Sequence, residues 1–494
     1  MRTFIYDGTK QTRTVMIRLF LSCLIILFTI SSYSQEGAFS DFLSDPSMIN
    51  ASVSFCVIDS ENGSSVSDYN AGKSLVPASL MKLVTTSVAL EMLGPAYTFS
   101  TSIGYTGLLK RKRGKLSGDI VITGGGDPSL GSKKFTDHYG DFTDLWAGEI
   151  KRMGVRKIEG RVITDDSYYD YMPVPAKWLW EDAGNYYGAG AFGLSVFDNT
   201  YEIHFRTGQD SVSQIITGII PAECSFEFSN WLVAAGTSDK GYVFAAPYST
   251  NGWLAGTIPA NLDDFVLKAS IADPPMIMAK IINKKLSEKG ILVSGDPSTV
   301  RIQQEEISRE INPVSTITSP PLKDIIRVLN HESVNMYAEH LVKELGKVYR
   351  NNGSTASGID VVNEFLLSMG INSGGMFIED GSGLSPVNAI SAAGLVDLLL
   401  YMKTKSRYFD DFYASLPEAG KEGTIKNNFR DPLFESRMAA KRGSMSRVKS
   451  YAGYLKTISG KELIFSIIVN NFSGPSQRII THIEDIIREL ILYE

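Results

Sequence analysis

Ser79 and Lys82 stand three residues apart in Pro77-Ala78-Ser79-Leu80-Met81-Lys82, a segment that reads as the opening of a helix. Pro77 suits a helix start. Leu80, Leu83, Val84, Val88, Leu90 and Leu93 supply an apolar stripe, and Gly94-Pro95 stops the run. Positions i and i+3 share a helix face, so the hydroxyl and the amine are neighbours. A lysine partly withdrawn from water has its charged form disfavoured; its pKa falls, and the neutral amine can take a proton from the serine. That activates a serine without histidine, near the positive end of the helix. Taken alone, Ser-x-x-Lys also describes an ordinary amphipathic helix start.

Two further constellations sharpen the reading. Ser333-Val334-Asn335 lies between helical segments expected at 322–330 and 334–345, which leaves its polar side chains at an inter-helix junction. Lys441-Arg442-Gly443-Ser444 precedes Tyr451-Ala452-Gly453-Tyr454-Leu455, the start of a strand pair closed by Ser459-Gly460. The order Ser-x-x-Lys, Ser-x-Asn, Lys-x-Gly is that of the active-site serine penicillin-recognising enzymes.

Beyond these motifs the chain resembles the D-alanyl-D-alanine carboxypeptidase/endopeptidase family, the low-molecular-mass class C penicillin-binding proteins or peptidase family S13. Ile122-Thr123-Gly124-Gly125-Gly126-Asp127-Pro128-Ser129-Leu130, Asp380-Gly381-Ser382-Gly383-Leu384-Ser385 and Ser415-Leu416-Pro417-Glu418-Ala419-Gly420 with Gly423-Thr424 match family landmarks in the same order. The resemblance runs over roughly residues 45–490. It implies an α+β fold: a serine DD-peptidase/β-lactamase-like core, an antiparallel sheet flanked by helices, with a large, mostly β insertion.

Composition fits an exported enzyme. The 494 residues suffice for two or three domains, and 43% hydrophobic and 21% charged residues with a net charge of -6 describe an ordinary globular protein with nothing to suggest nucleic acid. Arg13 and Arg18 lead into an apolar run over 19–30, followed by Ser32-Tyr33-Ser34, the layout of a signal peptide spanning 1–34. The competing reading is an uncleaved anchor, for which a dozen apolar residues is short. Secretion across the inner membrane into the periplasm is therefore expected. Met16 is an alternative start to Met1, and Cys23, inside the apolar run, does not fit a lipoprotein cleavage site. Cys56 and Cys224 can form one disulfide or remain two buried thiols.

Ser79 and Ser333 must meet although about 250 residues separate them. The peptidase core is thus expected to be discontinuous, built from 35–95 and 312–494, around an inserted region at 96–311. Short alternating runs such as Asp119-Ile120-Val121-Ile122-Thr123 and Tyr201-Glu202-Ile203-His204-Phe205 make the insertion read as mostly β. The resemblance implies two nested domains there.

The resemblance also implies roles. Ser79 attacks the carbonyl of a terminal D-Ala-D-Ala bond; Lys82 is the base, Ser333 relays a proton, and Asn335 holds the substrate amide and the Lys82 amine. Lys441 supplies positive potential and keeps neighbouring amines neutral by like-charge repulsion. Gly443 belongs to the same motif, and the N–H groups of Ser79 and Ser444 form the oxyanion hole. Within Trp178-Leu179-Trp180-Glu181-Asp182 and Tyr186-Tyr187-Gly188-Ala189, Asp182 falls on the carboxylate that recognises the free amino end of the substrate side chain and Tyr187 on an aromatic wall; the competing reading has Asp182 capping a loop. Arg442 departs from the family, where Thr or Ser is usual, and either replaces the hydroxyl's contact with the substrate carboxylate or points outward.

Peptidoglycan peptides are the implied substrate, and β-lactams covalent inhibitors. No cofactor is implied, and His331-Glu332 and Glu339-His340 lack the spacing of a zinc site. Gly124-Gly125-Gly126-Asp127 lacks the Gly-Lys-Ser/Thr of a phosphate loop, and Lys110-Arg111-Lys112-Arg113 reads as a solvated hairpin tip or a contact for anionic envelope polymers. The alternatives to a DD-peptidase are a catalytically silent peptidoglycan-binding relative, motivated by Arg442, and a β-lactamase, for which no deacylating base is identified.

Overall fold

The computed structural model describes residues 37–208, 214–224, 226–304, 307, 310–371 and 373–493; the signal-peptide segment 1–34 lies outside them. One five-stranded antiparallel sheet joins the two ends of the chain, in the order Ser65–Tyr69, Ser52–Asp59, Glu462–Asn470, Val448–Lys456, Met438–Met445. Its central strand, Glu462–Asn470, is buried at every residue but the first. The reason is a covering on both faces, and its side chains divide with the period of two that a strand imposes. Phe465, Ile467 and Val469 join Phe42 and the isoleucines of the closing helix Ser476–Ile491. Ile464 and Ile468 face the opposite way, onto the helices Met81–Leu93, Leu322–Glu332, Asn335–Arg350 and Ala392–Thr404.

The Ser79 helix differs from the amphipathic stripe that its sequence suggests. Every residue from Met81 to Leu90 is buried, including Lys82, Thr85, Thr86 and Ser87. Both threonines are accommodated by hydrogen bonds: Thr85 Oγ1 donates to the Gly381 carbonyl (2.7 Å) and Thr86 Oγ1 to the Lys82 carbonyl (2.7 Å), while Ser87 Oγ has no partner among the described residues. The helix runs through the middle of the larger core rather than along its surface.

Strands dominate the region between the two core segments. A five-stranded sheet contains Ser100–Tyr105, Ile120–Thr123 and Val162–Asp165 and packs on the helices Phe142–Arg152 and Pro274–Glu288, neither of which was expected from the sequence. Farther out, two three-stranded sheets, Thr200–Arg206 with its neighbours and Glu227–Ala234 with Asn251–Ile258 and Lys240–Phe244, share one apolar core. The strand Asn312–Thr318 pairs with Ser100–Tyr105 rather than with the terminal sheet. Lys110 and Arg111–Arg113 form the exposed tip of a hairpin, and Cys56 and Cys224 are both free and buried in different cores.

One polar clasp ties the central strand to the segment that leads into the turn of Ser79. Asn470 Oδ1 accepts from the Val76 N–H (2.9 Å) and Asn470 Nδ2 donates to the Val76 carbonyl (3.0 Å). Asn470→Ala leaves a buried N–H and C=O unpaired, which is expected to cost ~1–3 kcal/mol. Urea denaturation measures this; an unchanged midpoint would mean that water replaces both bonds.

Candidate active site

Ser79 occupies the short 3₁₀ turn Ala78–Leu80 that feeds the helix Met81–Leu93. Ala78 adopts φ +49°, a left-handed conformation tolerated here by a small side chain. The turn is clamped from two sides by glycines. A β-carbon on Gly383 would lie 1.9 Å from the Ala78 carbonyl oxygen, and one on Gly443 2.6 Å from the Pro77 oxygen and 3.1 Å from the Ser79 nitrogen. Close approach of the edge strand Met438–Met445 is therefore why Lys-x-Gly carries its glycine.

Lys82 Nζ is the hub. It contacts Ser79 Oγ at 3.1 Å, Asn335 Oδ1 at 2.6 Å and the Ser382 carbonyl oxygen at 2.7 Å. Burial lowers its pKa to about 7, against the opposing charges of Asp380 and Glu339. Desolvation favours the neutral amine, the cause that the sequence reading names first, whereas the repulsion from Lys441 that it adds is not among the causes. Asn335 begins the helix Asn335–Arg350 and turns its amide nitrogen to the Tyr187 carbonyl (2.8 Å). Ser333, left-handed at φ +58°, closes the preceding helix, and Lys441 Nζ donates to its hydroxyl (2.9 Å). Burial, then Lys82 and Arg442, hold Lys441 well below the ordinary lysine range.

Ser79, Ser333, Arg442 and Ser444 line an open cleft of about 370 Å³ with Gly423, Thr424, Lys426 and Asn427. Arg442 does not point away from it. Its Nη1 donates to Asn428 Oδ1 (3.1 Å) and weakly to the Thr424 carbonyl (3.4 Å), while Nε has no hydrogen-bond partner among the described residues. Ser444 accepts from Lys449 Nζ (2.6 Å), whose pKa burial and the neighbouring Arg442 lower to about 8.

Asp182 is buried, and burial raises its pKa to about 6 although the Tyr187 hydroxyl bonds to it. The sequence thus brings Ser79, Lys82, Ser333, Asn335, Lys441, Arg442, Gly443 and Ser444 together, and Asp182 and Tyr187 join them through Asn335. Three supports escaped it. Glu339 accepts the Gly381 and Ser382 N–H groups (3.1 and 2.8 Å) and so fixes the carbonyl that holds Lys82. Asp380 takes the Trp178 indole N–H (2.8 Å), the Gly383 and Ser385 amides (2.7 Å each) and Asn388 Nδ2 (2.8 Å). Lys449 reaches Ser444 because strand register sets them opposite, a pairing with no local signature. His340, which drew attention in sequence, is buried against Ser195 Oγ and neutral, its pKa lowered to about 3 by desolvation.

A serine hydroxyl on a buried, neutralised lysine, at the meeting of an antiparallel sheet and an all-buried helix, defines a serine hydrolase of the penicillin-recognising class. Residues 35–488 match the D-Ala-D-Ala carboxypeptidase 3 (S13) family, and the chain belongs to it. It is 30% identical over 450 residues to a D-alanyl-D-alanine carboxypeptidase of Actinomadura sp. (strain R39), covering 88% of this chain and 80% of that protein. The crystal structure of penicillin binding protein 4 from Haemophilus influenzae superposes with a TM-score of 0.78 at 22% identity, covering 92% of this chain and 99% of that one. A second structure of the same protein, complexed with a β-lactam, gives a TM-score of 0.75 at 20% identity, covering 92% and 99%.

Gly443→Ala tests the clamp. The new methyl would fall 2.3 Å from Ser450 Oγ, which itself donates to the Pro77 carbonyl (2.7 Å). Overpacking of this kind costs ~1–3 kcal/mol, read as a lowered unfolding midpoint together with slower modification of Ser79 by an acylating reagent. Parental values for both would remove the close-approach argument.

Proposed function

We propose that Ser79 is the nucleophile of a serine DD-peptidase that hydrolyses terminal D-Ala-D-Ala bonds and D-Ala cross-links of peptidoglycan peptides through an acyl-enzyme, and that β-lactams acylate the same hydroxyl. The single observation that carries this reading is the buried Lys82 amine, 3.1 Å from Ser79 Oγ with a pKa of about 7. Neutral Lys82 accepts the Ser79 proton as Oγ attacks the carbonyl. The N–H groups of Ser79 and Ser444 stabilise the oxyanion, and Ser333 passes a proton to the leaving amine with Lys441 behind it. Burial holds Lys441 well below the ordinary lysine range, and a substrate carboxylate beside it would favour its charged form. Arg442 lines the cleft and its guanidinium supplies the standing attraction for a substrate carboxylate. Because Arg442 leaves the cleft open and the Ser79–Lys82 contact intact, it favours retained activity over a silent binding relative.

The same reading makes the chain an exported, periplasmic enzyme, supported by the charged and apolar layout of residues 1–34. No helix among the described residues is long and apolar enough to cross a membrane. A discontinuous peptidase domain holding two nested insertions accounts for the separate sheets, with the return to the core after Thr318.

Intact mass spectrometry after benzylpenicillin should give one adduct on Ser79, absent from Ser79→Ala. The acylation rate should rise with pH through about 7, since Lys82 loses its proton there, and then level off. Lys82→Ala should slow it ~10²- to 10⁴-fold. An adduct elsewhere, or a parental rate in Lys82→Ala, removes the assignment.

Asp182 gives a second readout. As a carboxylate it pairs with a cationic substrate side chain, so Asp182→Asn should lower kcat/KM for free-amine peptides and hardly touch their acetylated analogues. Loss of one partner of a desolvated pair costs ~2–5 kcal/mol. In the parent the preference should fade as pH drops through about 6, where Asp182 takes up a proton. Equal losses on both peptides would make Asp182 structural.

A further inference from the structure

Three of the chain's five tryptophans, Trp180, Trp231 and Trp253, stand away from the buried cores and converge on one surface. The three-stranded sheet Glu227–Ala234, Asn251–Ile258, Lys240–Phe244 buries one face, through Leu232, Leu254 and Val243. On the opposite face Trp180 lies against Trp253, while Trp231 and Tyr242 stay exposed. Strand register sets Trp231 opposite Ala255 and Ala255 opposite Tyr242, so that row carries two rings on either side of a methyl floor. In the next row Trp253 lies opposite Phe244, and the two rings stack at 5.3 Å with an interplanar angle of 11°. Trp180 leans on Trp253 at 5.9 Å from a separate loop. Trp231 is 61% exposed, Trp180 53% and Tyr242 37%.

From this surface we infer a docking site for a neutral glycan strand, the polymer that carries the peptide substrate; the inference rests on the DD-peptidase reading above. Its shape is a trough. Adjacent strands lie about 4.8 Å apart, so the walls formed by Trp231 and Tyr242 leave room for one pyranose ring above Ala255. Ring faces are negative in their quadrupole and attract the slightly positive C–H face of a sugar. Charge selects the occupant: alternation places Glu227 and Lys240 on this face of the sheet, where they cancel, and Glu181 beside Trp180 adds an acidic group, so neither an anionic lipid surface nor a nucleic acid is favoured. An exposed apolar patch of this kind marks an interaction site.

Continuity with the catalytic cleft fixes the orientation. Trp180 precedes Asp182 by two residues, and Asn185 Oδ1 accepts from the Val243 N–H (3.1 Å), pinning that loop to the strand that bears Tyr242 and Phe244. The same loop ends at Tyr187, whose carbonyl holds Asn335. One loop therefore has the aromatic surface at one end and the Ser79 site at the other, as a glycan with a pendant peptide requires.

Calorimetric titration of the folded chain with chitotetraose, an uncharged β-linked N-acetylglucosamine tetramer, tests the site. Binding is expected, weakened roughly 2- to 10-fold by Trp231→Ala and again by Tyr242→Ala, the scale of one ring contact. Trp231 is exposed, and thermal unfolding checks that each variant is folded. Hydrolysis of polymeric peptidoglycan relative to a free pentapeptide should fall in the same variants. No binding, or equal affinity in parent and both variants, overturns the proposal. So does binding of phosphatidylglycerol vesicles that Trp231→Ala abolishes, or a concentration-dependent dimer that it breaks. Penicillin labelling of the same samples separates the two readings: chitotetraose binding without a Ser79 adduct sinks only the DD-peptidase assignment.

Discussion

Removal of the Lys82 amine from water is the constraint on which the rest of this structure turns. An ammonium ion buried without compensation is costly, so the protein must either neutralise it or surround it with acceptors. It does some of each. Ser79 Oγ, Asn335 Oδ1 and the Ser382 carbonyl oxygen supply the surroundings, from three parts of the chain remote in sequence, and burial supplies the shift toward neutrality. Each of the three acceptors needs its own support: the glycine-clamped turn for Ser79, the helix start for Asn335, and Glu339 for the Ser382 peptide.

Glu339 extends the same logic one layer outward. Its carboxyl is fully buried, and desolvation together with Asp380 pushes its pKa above the ordinary carboxylate range. It offers its oxygens to two backbone amides instead of to Lys82. A carboxylate in direct contact would hold the lysine charged and useless as a base; one placed behind a peptide orients the carbonyl and leaves the amine free to lose its proton. The arrangement separates geometry from charge.

The short-range part of the site was legible in the sequence because helix geometry sets it. Ser79 and Lys82 share a face by spacing alone, and Ser333 and Asn335 mark a helix junction. The strand pair that follows Lys441-Arg442-Gly443-Ser444 was legible from residues 451–455 and the Ser459-Gly460 turn. What failed to show was set by packing. The Ser79 helix is buried all round, which a list of apolar residues that also contains Thr85, Thr86 and Ser87 does not announce. The strand Asn312–Thr318 alternates like any other, and only its pairing with Ser100–Tyr105 assigns it to the outer sheet. Lys449 meets Ser444 by cross-strand register, and Asp380 gathers three donors from its own loop and a fourth from Trp178, 202 positions away, which no local pattern fixes.

The clasp between Asn470 and Val76 joins residues 394 positions apart. Loop closure over such a span comes late, since its entropy must be met before any contact rewards it. During synthesis the nucleophile segment is thus made early, whereas the strand that anchors it is nearly the last to emerge. A ribosome-bound chain that still lacks this strand holds Ser79 and Lys82 with no sheet behind them and without the burial that lowers the lysine's pKa. Reactivity is consequently timed by chain completion: the polypeptide can be handled as an inert thread until its final strand arrives.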